Sequence, residues 1–214
     1  TIRGNRIYNL DAARKKSSEG IFIESRCDGN LITENIVYNV GGSCYRDGSR
    51  STTVTVGNRW INNDGYNCEC GLSLSQAKGA VVQNNILSEN RAAQVYVNTD
   101  SVGNGGHTFS NNLYHRAGGG NVNTWNGRAT SCGGATHSFS SWAAASKEKN
   151  ALAADPKFMN PPSDFYLRAG SPAIDAGVAG VDMGAYPSGA KTATQRGATV
   201  ATSLSTPTGL RVIK

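Results

Sequence analysis

The side chains that could move a proton or neutralise an acid are mostly basic or phenolic. The candidates for catalysis are Lys15, Lys16, Arg46, Arg91, Tyr96 and His115. A cation beside a carboxylate acidifies the adjacent C–H group, and a nearby base can then remove that proton. These residue types therefore suit β-elimination next to an acidic group.

Hydrolysis of a glycosidic bond would need a different set of residues, two carboxylates that lie roughly 5–10 Å apart. Glu24, Asp47, Asp64 and Glu69 could supply such a pair from neighbouring parts of the fold. The sequence contains no Asp-Asp motif of the kind seen in polygalacturonases, which weakens this alternative.

Metals and nucleotide cofactors have weak support in the sequence. A calcium site built from Glu24, Asp28 or Asp47 is an open alternative, since oxygen ligands gather easily in turns, but no EF-hand-like spacing accompanies it. The three histidines are scattered and form no HExxH motif, so we expect no zinc centre. P-loop and dinucleotide-binding fingerprints are absent, and we predict no other cofactor.

The composition limits the elements that can position these side chains. The chain has 214 residues, a net charge of +6, 26 glycines and six prolines. Most asparagines lie at or before Asn126, and all the prolines follow Asp155. Asn and Gly are poor helix formers but tolerate left-handed corners, so residues 1–126 are neither a helical bundle nor a doubly wound α/β sheet.

Five segments of the chain align without gaps around a shared asparagine. The shared positions are Asn5, Asn35, Asn58, Asn85 and Asn112, each flanked by apolar residues in alternation. The segments are Thr1–Asn9, Leu31–Asn39, Val54–Asn62, Val81–Glu89 and Thr108–Arg116. A unit this short cannot bury its own apolar side, so the copies must stack.

Three strands in each repeat predict the architecture. We name them PB2, before each shared Asn, PB3, after it, and PB1, the strand typified by Gly20–Glu24, Gly71–Ser75 and Gln94–Asn98. Each strand would pair with its equivalent one coil away, which predicts an all-β, right-handed parallel β-helix of about five coils with a C-terminal cap segment. The shared Asn side chains would then bond along the stack, about 4.8 Å apart.

The repeats resemble those of secreted bacterial right-handed β-helix proteins of the pectate-lyase-like superfamily. The C-terminal stretch is similar to the segment that commonly ends such proteins, in Asp155–Asn160, Asp164–Arg168, Gly170–Gly177 and Asp182–Tyr186. The superfamily includes lyases, hydrolases, epimerases and phage tailspikes, so the resemblance predicts architecture better than activity.

The resemblance implies that a polysaccharide lies in a groove along PB1. The residues expected to contact it are Phe22, Glu24, Tyr45, Gln94, Asn98 and Trp125. The resulting hypothesis is a polysaccharide lyase that cleaves a uronic-acid-containing glycan. Two alternatives remain open, a non-catalytic carbohydrate-binding or surface module and a glycoside hydrolase.

The five cysteines allow two disulfides and one leftover thiol in a secreted chain. A bridge from Cys44 to either Cys68 or Cys70 fits neighbouring coils, whereas Cys27 and Cys132 are expected to lie too far apart to bridge. Unpaired buried thiols are the alternative.

The domain organisation follows the change in composition. We predict coils over residues 1–137, a short helix and capping segment over 138–187, and a linker over 188–214. The helix would be capped by Ser140 or Ser141, and the proline-rich segment would pack over the end of the stack. Because Thr1 begins within a repeat, we expect further coils before it. A monomer that binds neither nucleic acid nor membrane is expected.

Overall fold

A computed structural model describes residues 1–11, 18–48, 53–127 and 132–186. Within these ranges the chain forms a parallel β-solenoid of about four turns, rather than the five coils predicted. The structure is mostly β with few helices.

The strands follow one another in a repeating order along the chain. The first three sets contain β1 (Ile2–Arg3), β2 (Arg6–Tyr8), β3 (Ile21–Ile23), β4 (Leu31–Thr33), β5 (Ile36–Tyr38), β6 (Ser43–Gly48), β7 (Thr55–Val56), β8 (Arg59–Ile61), β9 (Asp64–Tyr66) and β10 (Cys70–Ser75). The next sets contain β11 (Ala77–Lys78), β12 (Val81–Gln83), β13 (Ile86–Ser88), β14 (Ala93–Asn98), helix α1 (Thr99–Asn104), β15 (Thr108–Ser110), β16 (Leu113–His115) and β17 (Asn123–Gly127). Helix α2 (Phe139–Ser146), β18 (Leu152–Ala153), β19 (Phe158–Asn160), β20 (Asp164–Leu167) and a 3-10 turn (Val178–Gly180) complete the described part.

Three parallel sheets form the sides of the solenoid. The PB2 sheet has the order β1-β4-β8-β12-β15, and the PB1 sheet has the order β17-β14-β10-β6-β3. The PB3 sheet has the order β18-β16-β13-β9-β5-β2. Strands β7 and β11 make a small extra sheet at one corner of the middle coils, and β19 and β20 form a separate antiparallel pair.

A ladder of buried asparagines runs along the corner between PB2 and PB3, as the sequence predicts. The side-chain amide of Asn5 donates to Asn35 (2.9 Å), Asn35 to Asn63 (3.0 Å), Asn63 to Asn85 (3.0 Å) and Asn85 to Asn112 (3.0 Å). Each side-chain oxygen also accepts a backbone N–H from the adjoining coil, as from Asn5 to Asn35. The ladder thereby satisfies polar groups that the stacking removes from water.

The prediction that Asn58 belongs to this ladder is wrong, because Asn63 occupies that position. Strand β8 pairs with both β4 and β12, so Trp60 lies level with Ile32 and Val82. The aligned segment that begins at Val54 instead forms β7 in the extra sheet. Asn58 belongs to a second, shorter ladder, in which its side-chain oxygen accepts from Asn30 (3.1 Å).

The residue before each ladder Asn turns the chain through a left-handed corner. The φ angles are +70° at Gly4, +56° at Glu34, +53° at Asn62, +56° at Asn84 and +51° at Asn111. Glycine and asparagine adopt this conformation at low cost, which explains much of their enrichment.

The interior of the solenoid is filled by side chains from all three sheets. Tyr45 is part of this interior, although the sequence predicts it on the outer face of PB1. Its hydroxyl donates to the backbone oxygens of Asn35 (2.8 Å) and Asp64 (2.7 Å). Gly65 on the facing PB3 strand makes room, since a Cβ there would lie 3.3 Å from the Tyr45 ring.

Helix α2 closes the C-terminal end of the stack. Trp142 is fully buried and packs edge-on against Phe109, Tyr114 and Trp125. The helix is capped by Ser138, whose side chain accepts from the Ser141 amide, rather than by Ser140 or Ser141 as predicted. The ladder ends there, because Asn112 donates to the Glu148 carboxylate (2.7 Å).

Residues 155–186, which we call the lateral segment, pack along the PB3 side of the solenoid and not over its end as predicted. Phe165 contacts the rings of Tyr38 and Tyr66, in two different coils. Arg6 in the first strand set donates to Pro162 (2.7 Å), and Asn111 in the last donates to Ala176 (2.9 Å). The segment therefore spans almost the whole stack.

Two disulfides tie the PB1 side together. Cys44 bonds to Cys68, one of the two predicted partners. Cys70 bonds to Cys132, a pairing that the sequence analysis did not propose. Residues 132–137, which we call the returning chain, lie along the outside of PB1, where Ala135 donates its backbone N–H to Ala92 and Cys132 lies beside β10. Cys27 is an exposed free thiol. Two disulfides indicate an oxidising setting.

Helices long and apolar enough to span a bilayer are absent from the described part of the chain.

Candidate functional site

The outer face of PB1 does carry two of the predicted side chains. Arg46 lies beside Phe22 on the neighbouring strand, with its guanidinium 5.2 Å from the ring centre. Arg46 also forms a largely buried ion pair with Glu19 (2.9 Å). These contacts hold the Arg46 charge against the protein surface.

The rest of that face is covered. Tyr96 is level with Ser73, but it is buried in a cluster with Cys70 and Cys132, beneath the returning chain. A Cβ at Gly127, at the end of the adjacent strand β17, would lie 2.5 Å from the Tyr96 ring, and one at Gly133 of the returning chain would lie 3.9 Å from it, so both enclose the ring. The predicted accessibility of Tyr96 to a polymer is therefore wrong.

Three of the predicted substrate-binding residues have structural contacts instead. Gln94 is fully buried and accepts from Asn90 (2.7 Å). Asn98 caps helix α1 through the Ser101 amide (2.8 Å). Trp125 packs against the core beneath α2. The predicted place of these three on an open groove floor is wrong. Glu24 is exposed just after β3, and its predicted role remains untested.

Lys15 and Lys16 lie outside the described residues.

Arg91 binds several coils together. Its guanidinium donates to the backbone oxygens of Asn67 (3.1 Å), Val40 (3.2 Å) and Gly41 (3.0 Å) and contacts Glu69 (3.3 Å). These contacts are those of a structural clamp, and its predicted catalytic role has no support from them.

The carboxylates considered for hydrolysis or calcium binding are separated by the fold. Asp47 is buried and accepts from Thr55, Asn58 and Trp60, and burial raises its pKa despite these hydrogen bonds. Asp64 is buried beneath the lateral segment, and burial raises its pKa well above the ordinary value. Asp28 lies at an exposed corner and accepts from the Val56 amide. No group of three metal-ligating side chains occurs within the described ranges.

An accessible cleft of about 870 Å³ lies elsewhere, between the end of the PB3 strands and the lateral segment. We call it the lateral cleft. It is lined by Tyr66, Asn67, Ser88, Glu89, His115, Ala117, Asp155, Pro156, Lys157, Phe158, Pro161, Arg168 and Ala169.

PB3 contributes one wall of the lateral cleft in strict register. Tyr66, Ser88 and His115 are level on three adjacent parallel strands. Neighbouring strands are about 4.8 Å apart, so Tyr66 and His115 stand about 10 Å apart along the wall. That separation leaves room for a sugar unit between the phenol and the imidazole.

Among the predicted catalytic residues that the structure describes, His115 alone lines this cleft. Its Nε2 lies 3.2 Å from a Glu89 carboxylate oxygen, and both side chains are about one quarter exposed. Glu89 is itself held by the Ala117 amide (3.0 Å). A carboxylate in this position favours the Nε2–H tautomer, so the ring presents the Nδ1 lone pair as a base.

The lateral segment supplies the cations of the opposite wall. Lys157 donates to the backbone oxygen of Gly170 (2.9 Å), and Arg168 donates to that of Met159. Both acceptors are neutral, so these contacts orient the two side chains without offsetting their charge. Asp155, by contrast, already accepts from the Lys157 amide (2.8 Å).

Tyr66 is half-buried in the same cleft. Burial raises the pKa of its phenol, and the nearby Glu89 charge raises it further. The phenol is therefore protonated at neutral pH, which suits a proton donor and not a base.

Lys157 and Arg168 were not among the sequence-predicted site residues. Both lie in the C-terminal stretch that was expected to pack over the end of the stack and not along its side. The sequence does show apolar residues at Phe158 and, in alternation, at Phe165 and Leu167. An alternating apolar face packs against another part of the protein, so this pattern could have indicated that the stretch lies along the solenoid.

No protein-family model matches the chain, and no significant match was found among curated proteins or solved structures.

Proposed function

We propose that the chain is an extracellular carbohydrate-active protein that binds an acidic glycan in the lateral cleft and cleaves it by β-elimination. The proposal keeps the resemblance to secreted right-handed β-helix proteins but moves the site from PB1 to the PB3 side. The observation that carries it is the His115–Glu89 pair, which faces the protonated phenol of Tyr66 along one cleft wall.

Each side chain of the cleft has a place in this reaction. Lys157 and Arg168 neutralise the uronate carboxylate, which lowers the pKa of the neighbouring C–H. His115 removes that proton through Nδ1, and the electron pair forms a carbon–carbon double bond as the glycosidic C–O bond breaks. Tyr66 donates its proton to the departing oxygen.

Binding without cleavage is the second candidate. Lys157 and Arg168 are both exposed and already donate to backbone oxygens, an arrangement that suits recognition of an anion as well as catalysis. The two candidates share the ligand and differ in the reaction.

One panel experiment separates the candidates. Acidic and neutral polysaccharides are incubated with the protein, and the ultraviolet absorbance of the unsaturated product, the reducing ends and the binding are followed together. Under the lyase proposal an acidic glycan gives the unsaturated product, and His115→Gln slows its formation by about 100-fold or more while binding persists.

Arg168→Gln should weaken binding of the same glycan by about tenfold. Lys78→Gln is the matched control, because Lys78 is an exposed cation on β11, away from the cleft. Binding of an acidic glycan with no product would overturn the lyase proposal in favour of recognition alone. Failure to bind any acidic glycan would overturn both.

A further inference from the structure

A row of surface side chains runs along the solenoid into the lateral cleft, and it consists of three asparagine amides followed by the Glu89 carboxylate. Asn9, Asn39, Asn67 and Glu89 each follow a PB3 strand, and each donates its backbone N–H to the end of the PB3 strand of the next coil. Their φ angles are +55°, +55°, +51° and +55°, so the four side chains leave the chain in the same way.

Hydrogen bonds join the amides of this row. Asn39 donates to the Asn9 side-chain oxygen (3.1 Å), and Asn67 donates to that of Asn39 (2.8 Å). Asn39 and Asn67 each use one N–H in this direction, and an amide nitrogen carries two hydrogens. The row is thus pre-ordered and keeps polar capacity towards solvent.

A second groove lies above the row and adjoins the lateral cleft. Its volume is about 380 Å³, and it is lined by Asn9, Asp11, Asn39, Val40, Gly41, Asn67 and Arg91. Asn67 lines both this groove and the lateral cleft, so the two cavities lie next to each other. The Arg91 clamp forms part of the groove and fixes the corners of adjoining coils.

We propose that this row is a binding track for successive units of a linear glycan whose acidic unit lies in the lateral cleft. The proposal rests on the proposed function. Four positions one strand spacing apart extend over about 14 Å, and the sugar units of a linear glycan repeat on a similar spacing, so the track accommodates about three units. It runs parallel to the solenoid axis and ends at the His115–Glu89 pair.

The chemistry of the track differs from that of the cleft. An amide offers both a donor and an acceptor, which matches sugar hydroxyls. Asp11 at the far end would repel a carboxylate, whereas Lys157 and Arg168 attract one in the cleft. The track therefore recognises hydroxyl groups, and the cleft recognises the acidic group.

The test uses the full chain and linear oligosaccharides from dimer to hexamer that carry a single uronate at one end, called oligo-uronates below, with affinities measured by calorimetry. Affinity should rise from dimer to tetramer and then level off. Asn39→Gly removes an amide but keeps the left-handed corner, and it should weaken tetramer binding by about tenfold while leaving dimer affinity within about twofold. Raising the salt concentration should weaken dimer binding but leave the Asn39→Gly effect unchanged.

Asn150→Gly is the matched control, since Asn150 is exposed, has a φ of +53° and lies outside the track. Equal affinity for dimer and hexamer, or equal effects of the two glycine variants, would overturn the track and leave the proposed function standing. Failure of every oligo-uronate to bind would overturn the proposed function itself.

Discussion

At the scale of single residues, the buried ladder depends on each asparagine serving two neighbours. Asn63 accepts from both the backbone and the side chain of Asn35, and it donates to Ile32 and Asn85. An apolar replacement leaves these partners buried without a hydrogen bond, and each such group costs about 1–3 kcal/mol.

Asn63→Ala should therefore lower the free energy of unfolding by about 2–4 kcal/mol, measured by urea denaturation. Asn121→Ala is the control, because Asn121 is exposed and contributes its backbone oxygen to Arg116; its effect should stay within about 0.5 kcal/mol. Similar losses for both variants would contradict the ladder assignment.

The ladder also shows how far residue patterns predict the fold. Asn5, Asn35, Asn85 and Asn112 were placed correctly from spacing and apolar neighbours alone. Asn58 was placed in the ladder wrongly, because both Val54–Asn58 and Arg59–Asn63 have apolar residues shortly before an asparagine. Only the pairing of β8 with β4 and β12 distinguishes them, and pairing depends on contacts distant in sequence.

At the scale of elements, the Cys70–Cys132 disulfide holds the returning chain over the outer face of PB1. It closes a loop of 62 residues and covers Tyr96. Closing a loop of this length restricts the conformations that the unfolded chain can adopt. Loss of the disulfide should therefore lower the free energy of unfolding by about 2–4 kcal/mol.

The variant Cys70→Ala/Cys132→Ser should show this loss in denaturant and should make the Tyr96 region accessible to protease. Wild type under reducing conditions serves as a comparison, since it also loses Cys44–Cys68 and should be less stable still. Unchanged protease resistance would show that the cover does not depend on the disulfide.

The lateral segment depends on Phe165 for its attachment to PB3. This fully buried ring meets Tyr38 (5.4 Å), Tyr66 (5.6 Å) and Phe158 (5.0 Å) between ring centres. Phe165→Ala should lower the free energy of unfolding by about 3–5 kcal/mol, as for other large buried aromatic side chains.

Hydrogen exchange gives the sharper measurement for Phe165→Ala. Amides of β19 and β20 should exchange faster, while amides within the PB2 strands stay protected, because the segment attaches to the PB3 side and to the corner residues Asn62, Asn84 and Asn111 that follow the PB2 strands. Equal loss of protection in the PB2 sheet would contradict a lateral position.

At the scale of the whole molecule, three buried acids make stability depend on pH. Burial raises the pKa of Asp47, Asp64 and Glu148, most strongly for Asp64. The folded state then holds protons more tightly than the unfolded state. The stabilisation is complete below the unfolded pKa of about 3.9 for Asp and is lost as pH rises through the folded value.

Urea denaturation between about pH 4 and pH 8 should therefore show this contribution to stability decreasing as pH rises. Asp64→Asn cannot titrate, so its stability should depend less steeply on pH than that of wild type. Tyr45 and Tyr186 are the other titratable groups coupled to Asp64, and burial raises their pKa values, so neither titrates in this range. An unchanged slope in Asp64→Asn would contradict the assignment.

The candidate site was less predictable than the fold. Alternation placed Phe22 and Tyr96 on the correct side of PB1, but it could not show that a disulfide from Cys132, distant in sequence, would hold other residues over that face. It also could not show that residues 155–186 would lie beside His115, because the attachment depends on which face of PB3 presents Tyr38 and Tyr66. The alternation of residues predicts on which side of a strand a side chain lies, but it does not predict which other part of the chain packs over that side.

Cleavage of an acidic glycan in the lateral cleft can be distinguished from cleavage on the outer face of PB1 by kinetics. The rates at which wild type, His115→Gln and Arg46→Gln form the unsaturated product are compared, with thermal unfolding confirming that each variant is folded. We expect a loss of about 100-fold for His115→Gln and nearly unchanged turnover for Arg46→Gln. Turnover that survives in His115→Gln and is lost in Arg46→Gln would contradict cleavage in the lateral cleft and return the site to PB1.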